Sequence, residues 1–257
     1  MIVRPSADGF LLIPQSAHAL VAFALARNWG NRLAPRPGPV DEVLAAVLLH
    51  DAGWDEDGRE PTLAPDGSLG NFSTWPQGKE REELWWDTFR RAQSRGRYVA
   101  YLVGCHVLHL AETYSLGAHM EFTGKMRQEL AALSQSLATD PRYGQVLRTG
   151  QDQVNRNILR LCDALAVKLC QGVHRPVVLE EAPFKGGPSP LKLQPAKLQG
   201  FHLHPWPFQG RHLALTVEAC FLSHPLPTTL EELIQRYRKA PRQRLTFHLY
   251  PLGTTRV

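Results

Sequence analysis

Most of the short patterns that mark common enzyme classes are missing from this chain. No Walker loop, GxGxxG fingerprint, GxSxG elbow or HExxH pair occurs, which removes the usual cues for NTPases, dinucleotide enzymes, α/β-hydrolases and zincins. Cysteine is scarce. Cys105, Cys162, Cys170 and Cys220 show no CxxC spacing, and three of them lie in apolar helical contexts, the pattern of reduced, buried thiols in a cytosolic protein. No apolar run approaches the roughly 18 residues needed to span a bilayer. The opening MIVRPSADGFLLIPQ lacks the charged-then-apolar layout of a signal peptide, because Pro5, Asp8 and Gly9 interrupt it. Internal repeats and low-complexity segments are also missing. Together these absences imply a soluble, cytoplasmic protein without a membrane partner.

Positive charge, by contrast, is in modest excess. The net charge is +5 and the pI about 9.2, enough to attract a phosphorylated small molecule or, as a minority option, nucleic acid. The densest basic run, Arg236 to Arg244, follows a helix-like segment opened by Thr228, Thr229, Glu231 and Glu232. Basic residues at a helix C-terminus explain part of that run.

Periodicity divides the chain in two. Ile2–Arg4 and Phe10–Ile13 read as short strands around an Asp8-Gly9 turn. Helices are predicted from Ser16, a plausible N-cap, to about Trp29, then over Glu42–Leu49, Lys79–Arg95, Arg97–Tyr114, Ala118–Thr139 and Pro141–Gln171. Residues 52–78 form a long loop rich in Gly, Pro, Asp and Asn, of the kind that walls or covers an active site, with Trp54, Phe72 and Trp75 as anchors. After Gly172 prolines multiply and short β-prone runs appear at Val177–Leu179, His212–Ala219 and Leu245–Leu249. The expected architecture is therefore mainly α: a helical domain over residues 1–172 and a small β-rich module over 173–257 that recruits the N-terminal strands. Trp206 and Phe208 are expected in the core of that module or at its junction with the helices.

The chain is organised around EVLAAVLLHDAGWDEDGRE, residues 42–60. An apolar helix ends in His50-Asp51, and Gly53 breaks it. An imidazole and a carboxylate facing an apolar core must be hydrogen-bonded or must ligate a metal. The dipeptide alone is weak, since eleven His and ten Asp in 257 residues give about 0.4 such pairs by chance. Other residues strengthen it. His18 shares a helix face with Val21, Ala22 and Leu25. His106 has Leu102, Val103 and Leu110 on adjacent turns. Asp163 sits mid-helix with Leu159, Ala166 and Val167 around it, and an unpaired carboxylate almost never goes inside. Four helices each bringing such a residue to one core suggest a metal site built between helices. His109, three residues after His106, is followed by Glu112 and is expected to face away.

His18, the His50-Asp51 pair and the late Asp163 in a helical frame resemble the HD superfamily of metal-dependent phosphohydrolases, over about residues 15–172. The resemblance implies that His18, His50, Asp51 and Asp163 hold one divalent ion, with His106 the further candidate, for a second. Mn, Fe, Zn, Mg and Ni are equally compatible with this set. Gln15-x-x-His18, His50-Asp-x-Gly-Trp54 and Pro205-Trp-Pro-Phe208 are further similar to a bacterial family of HD-like proteins with a C-terminal β extension. Many HD phosphohydrolases follow His-Asp-x-Gly with a Lys or His, whereas this chain has Trp54 and so lacks that phosphate contact.

The function implied is metal-assisted hydrolysis of a phosphate ester, nucleotides included. Asp51 would ligate or bridge metal. Asp55 or Glu56 could handle the proton, though solvated loop charge is the plainer reading of both. Arg156, Arg160 and Lys168 are candidate phosphate clamps on the Asp163 helix, with surface charge as their bland alternative, and Trp54 would line the pocket. Two rivals are an HD-type di-iron oxygenase and a non-catalytic metal- or ligand-binding protein whose basic module contacts a partner.

Overall fold

The computed structural model describes residues 1–54, 60–114, 118–196 and 200–253. Helix α1 (Gln15–Asn28) begins behind Pro14, and Ser16, the cap expected from sequence, lies inside its first turn. Proline suits that boundary because its missing N–H would have had no helical partner. Helix α2 (Val40–Leu49) follows Pro39 and carries Asp41 and Glu42 in its first turn, where the helix dipole favours carboxylates. A single 3-10 turn, Ala52–Trp54, comes next. Helices α3 (Gly78–Gln93), α4 (Arg97–Tyr114) and α5 (Met120–Ala138) lie close to the predicted spans. The single helix predicted over 141–171 is instead two, α6 (Tyr143–Arg148) and α7 (Gln151–Gln171). Gly150 separates them at φ +73°, a left-handed conformation that glycine adopts without steric cost.

Gly53 is required for a different reason. A Cβ there would lie 2.1 Å from the Leu84 carbonyl oxygen and 2.6 Å from Thr88 Oγ1, while the Gly53 N–H donates to that same hydroxyl at 2.9 Å. The turn after His50-Asp51 is thus pressed against the α3 backbone. That contact fixes how the pair leaves α2.

The mainly-α expectation is corrected by the sheet. The protein is 48% helical and 24% strand, a mixed α/β fold whose strands form one curled sheet of seven. Strands β1 (Ile2–Ser6), β2 (Gly9–Ile13), β3 (Val177–Phe184), β4 (Gly187–Pro195), β5 (Gly200–His204), β6 (Leu213–Ser223) and β7 (Arg242–Pro251) lie in the order β1-β2-β6-β7-β5-β4-β3. Every pairing is antiparallel except β5 with β7. The sheet's breadth comes from pairings between distant segments, which leave no local trace in the sequence. Strands β4 and β5 are the ones with no β-signal: GPSPLKLQP carries three prolines, yet Leu191 and Leu193 alternate into the core.

Helix α8 (Leu230–Lys239) bridges β6 and β7. Thr229 caps it by accepting from Glu232 N, and the Glu232 carboxylate accepts in turn from the Thr228 N–H just ahead of the cap. Much of the basic run is spent locally: Arg236 donates to the Ser223 and Pro225 carbonyls, and Arg242 stacks over Tyr237.

One continuous apolar cluster runs from the helices into the sheet, joining residues such as Leu25, Val47, Val103, Leu161 and Leu165 to Ile13, Leu193, Leu203, Val217 and Leu249. A smaller one packs α8 against β2 and β6 through Leu12, Leu222, Leu233 and Tyr237. At the junction, Phe208 is buried edge-on against Trp29 at 5.8 Å and Trp206 is half-buried beside it. Asn31 ties the two parts by donating to the Trp206 and Phe208 carbonyls. Among the described residues no helix is long and apolar enough to cross a membrane. All four cysteines are free thiols, three of them buried.

Candidate metal centre

Helices α1, α2, α4 and α7 bring His18, His50, His106 and Asp163 to one point. The amphipathic patterns that bury each helix also aim these polar side chains at the shared interior. His18 Nε2 lies 2.9 Å from Asp163 Oδ1, His50 Nε2 lies 3.3 Å from the same oxygen, and His106 Nε2 lies 3.4 Å from Oδ2. Asp51 Oδ2 stands 3.6 Å from His50 Nε2 and receives a hydrogen bond from Gln15 Nε2 at 3.1 Å. The three imidazoles are buried, whereas both carboxylates retain some exposure.

The imidazoles of His18 and His50 are oriented by their own helices. Each places Nδ1 beside the backbone carbonyl three residues earlier, Gln15 O at 3.1 Å and Val47 O at 2.6 Å. An Nδ1–H held in this way turns Nε2 toward the centre, the arrangement that outer-shell partners impose on metal-binding histidines.

The donor set fits a metal ion. His18, His50 and Asp163 each offer a ligand atom, and these atoms lie within 4.8 Å of one another. Two ligands on an ion with bonds of about 2.1 Å stand roughly 3.0–3.5 Å apart at tetrahedral or octahedral angles, and the separations above fall near that range. The alternative, a hydrogen-bonded core network, fails at His106: both of its buried ring nitrogens lack a hydrogen-bond partner among the described residues. A buried polar group left so is costly.

Burial and the neighbouring charges pull these groups in opposite directions. Burial disfavours a charged His50, but the Asp51 and Asp163 carboxylates outweigh it and hold its pKa up at about 9. Burial dominates at His106, pushing it down to about 3 and keeping a neutral ring, the form that ligates metals. Burial also opposes ionisation of Asp163, yet the His50 charge and the hydrogen bonds from His18 and His50 keep it well below the usual carboxylate range.

Above the cluster opens a cleft of about 670 Å³, walled by Asp51, Asp163, Gln15, Trp54, Phe72, Trp85, Arg81, His119 and Lys168 among others. Of the three cations expected as phosphate clamps, Lys168 alone lines it. Arg156 is drawn to Asp152 at 2.9 Å and over the Tyr101 ring, and Arg160 reaches the Glu180 carbonyl on β3 at 2.9 Å. Both are captured by nearer partners on other sides of α7. Trp54 lines the cleft, and His109 lies 3.4 Å from Thr113 Oγ1. Asp55 and Glu56 fall outside the described residues.

Sequence reasoning missed Arg81, Glu82 and His119. Arg81 enters from α3, clamped by the Pro76 and Phe72 carbonyls at 2.7 Å each. It is hidden within the charged run Lys79–Glu83, where no pattern separates an inward arginine from a solvated one. Burial lowers its pKa, and Asp51 opposes that shift.

Comparison with protein families matches residues 1–224 to the family described as a protein of unknown function, DUF3891. The chain belongs to DUF3891. The match runs from the N-terminal hairpin through α7 to the end of β6, so the DUF3891 region contains every residue of the cluster and of the cleft wall named above. No curated protein and no solved structure matches the chain.

Proposed function

We propose that this DUF3891 protein is a metal-dependent hydrolase of the HD type, acting on a phosphate ester. One observation carries the reading: three buried histidines meet two aspartates that line a cleft, and the walls of that cleft bear two cations. A divalent ion held by His18, His50, Asp51 and Asp163, with His106 beside it, would supply Lewis acidity toward a phosphoryl oxygen and acidify a bound water. The chain's own contribution is charge and position. Lys168 has no ion pair or hydrogen bond among the described residues, and Arg81 Nη1 is also unclaimed while its other nitrogens are tied down. A fixed guanidinium and a mobile ammonium suit an anionic phosphate. Arg81 thus offers from α3 the cation that Trp54 does not. The aromatic walls, Trp54, Phe72 and Trp85, favour an ester with a flat apolar part, such as a nucleotide.

The orphaned His106 nitrogens also suit a second ion, and with two irons the same donors would serve oxygen-dependent oxidation. Elemental analysis of protein purified without added metal, followed by assays on phosphomonoesters and phosphodiesters, separates the readings. The expected result is bound divalent metal and phosphate release, both lost in Asp51→Ala. Two irons with oxygen uptake and no phosphate release would assign the oxidative chemistry. No bound metal, with no activity after loading Mn, Fe, Zn, Mg or Ni, would remove both.

A further inference from the structure

The cleft wall also includes a histidine outside the metal cluster, paired with a carboxylate behind it. His119, just before α5, is 6% exposed, and its Nδ1 lies 2.5 Å from Glu82 Oε1 on α3. The ring is braced edge-on by Trp85 at 5.0 Å. It lines the cleft that Asp51 and Asp163 also line, yet it shares no hydrogen bond with them. Its remaining nitrogen, Nε2, has no hydrogen-bond partner among the described residues. A buried, cavity-lining imidazole with one nitrogen fixed by a carboxylate and the other without a protein partner among the described residues is equipped to carry a proton, because the carboxylate sets the tautomer and offsets the charge of the imidazolium.

We propose that His119 is the general acid of the reaction and that Glu82 positions it; this rests on the hydrolase reading above. Hydrolysis joins a water oxygen to phosphorus and breaks the bond between phosphorus and the leaving oxygen. The electron pair of the broken bond stays on the leaving oxygen, which takes the proton from His119 Nε2 and departs as the alcohol. His119 is then neutral, with Nδ1–H still on Glu82. The proton shed by the attacking water returns to Nε2 through solvent, so the pair ends the cycle as it began. Such a donor matters only when the leaving group is basic. The substrate class implied is therefore an ester of an alkyl or sugar alcohol, in which departure needs protonation.

The test compares two phosphate esters differing only in the alcohol, p-nitrophenyl and alkyl, on metal-loaded wild type, His119→Gln and Glu82→Gln. His119→Gln should lose about 10²–10⁴-fold in kcat on the alkyl ester and less than about tenfold on the p-nitrophenyl ester. Its metal content should equal wild type. Glu82→Gln should show the same leaving-group asymmetry at smaller size, and it carries the test if His119→Gln fails to fold. Equal losses on both esters, or no loss, overturn the assignment while leaving the hydrolase standing. A wild type that holds metal but cleaves neither ester overturns the hydrolase and the assignment with it.

Discussion

Helix α7 carries two inward-facing polar side chains, Asn155 and Asp163, just over two turns apart, and they are treated in opposite ways. Asn155 is fully buried and fully partnered: Oδ1 accepts from Gly38 N at 3.1 Å and Gln151 Nε2 at 3.0 Å, while Nδ2 donates to the Gly38 carbonyl and to Tyr98 Oη. Asp163 instead sits among three imidazoles, one of which has no hydrogen bond among the described residues. The first network is closed, so it can only hold the structure together. The second is left incomplete by the protein, and an incomplete buried network is where a ligand has something to add.

Mutating each side should separate the two. Asp163→Ala should reduce bound metal to the level of a chelator-stripped control while the helical circular dichroism persists. Asn155→Ala should do the reverse, keeping metal but destabilising the fold by about 2–4 kcal/mol in chemical denaturation, because Gly38 and Tyr98 lose their partners. Metal loss in both would erase the contrast. Gly53→Ala links the regions through the backbone. A Cβ forced against the Leu84 carbonyl should cost about 1–3 kcal/mol, and the shift of His50-Asp51 should weaken metal binding in a competition titration.

The smallest effect is the sharpest. His106→Leu should stabilise the metal-free protein by up to about 1 kcal/mol, since an unpartnered polar ring gives way to an apolar one. The same change should weaken metal binding by about 10–100-fold if the ring helps hold the ion, directly or from the outer shell. A destabilised metal-free variant with unchanged metal affinity would make His106 a packing residue.

The cluster was legible because His18, His106 and Asp163 are polar residues on apolar helical faces, and His50-Asp51 ends an apolar run. Periodicity records which way a residue points, and that was enough. Arg156 and Arg160 share a helix with Asp163, but periodicity says nothing of the Asp152 or Glu180 groups that draw them aside. Arg81 and His119 were silent for the converse reason: a cation in a charged helix and a histidine ahead of α5 break no pattern. The sheet was underestimated because proline in β4 reads as a strand-breaker, while the parallel contact of β5 with β7 depends on residues about fifty apart in sequence.

The strand order has a consequence for synthesis. Strand β2 pairs with β6, and β6 with β7, so the N-terminal hairpin waits for a partner some two hundred residues downstream. His18 through Asp163 have all left the ribosome well before β6 does. The helices can therefore gather their histidines and aspartates, ready for any ion they bind, while one edge of the nascent hairpin is still unpaired and prone to aggregation. If the cluster holds an ion, metal supplied during translation should raise soluble yield more than metal added afterwards.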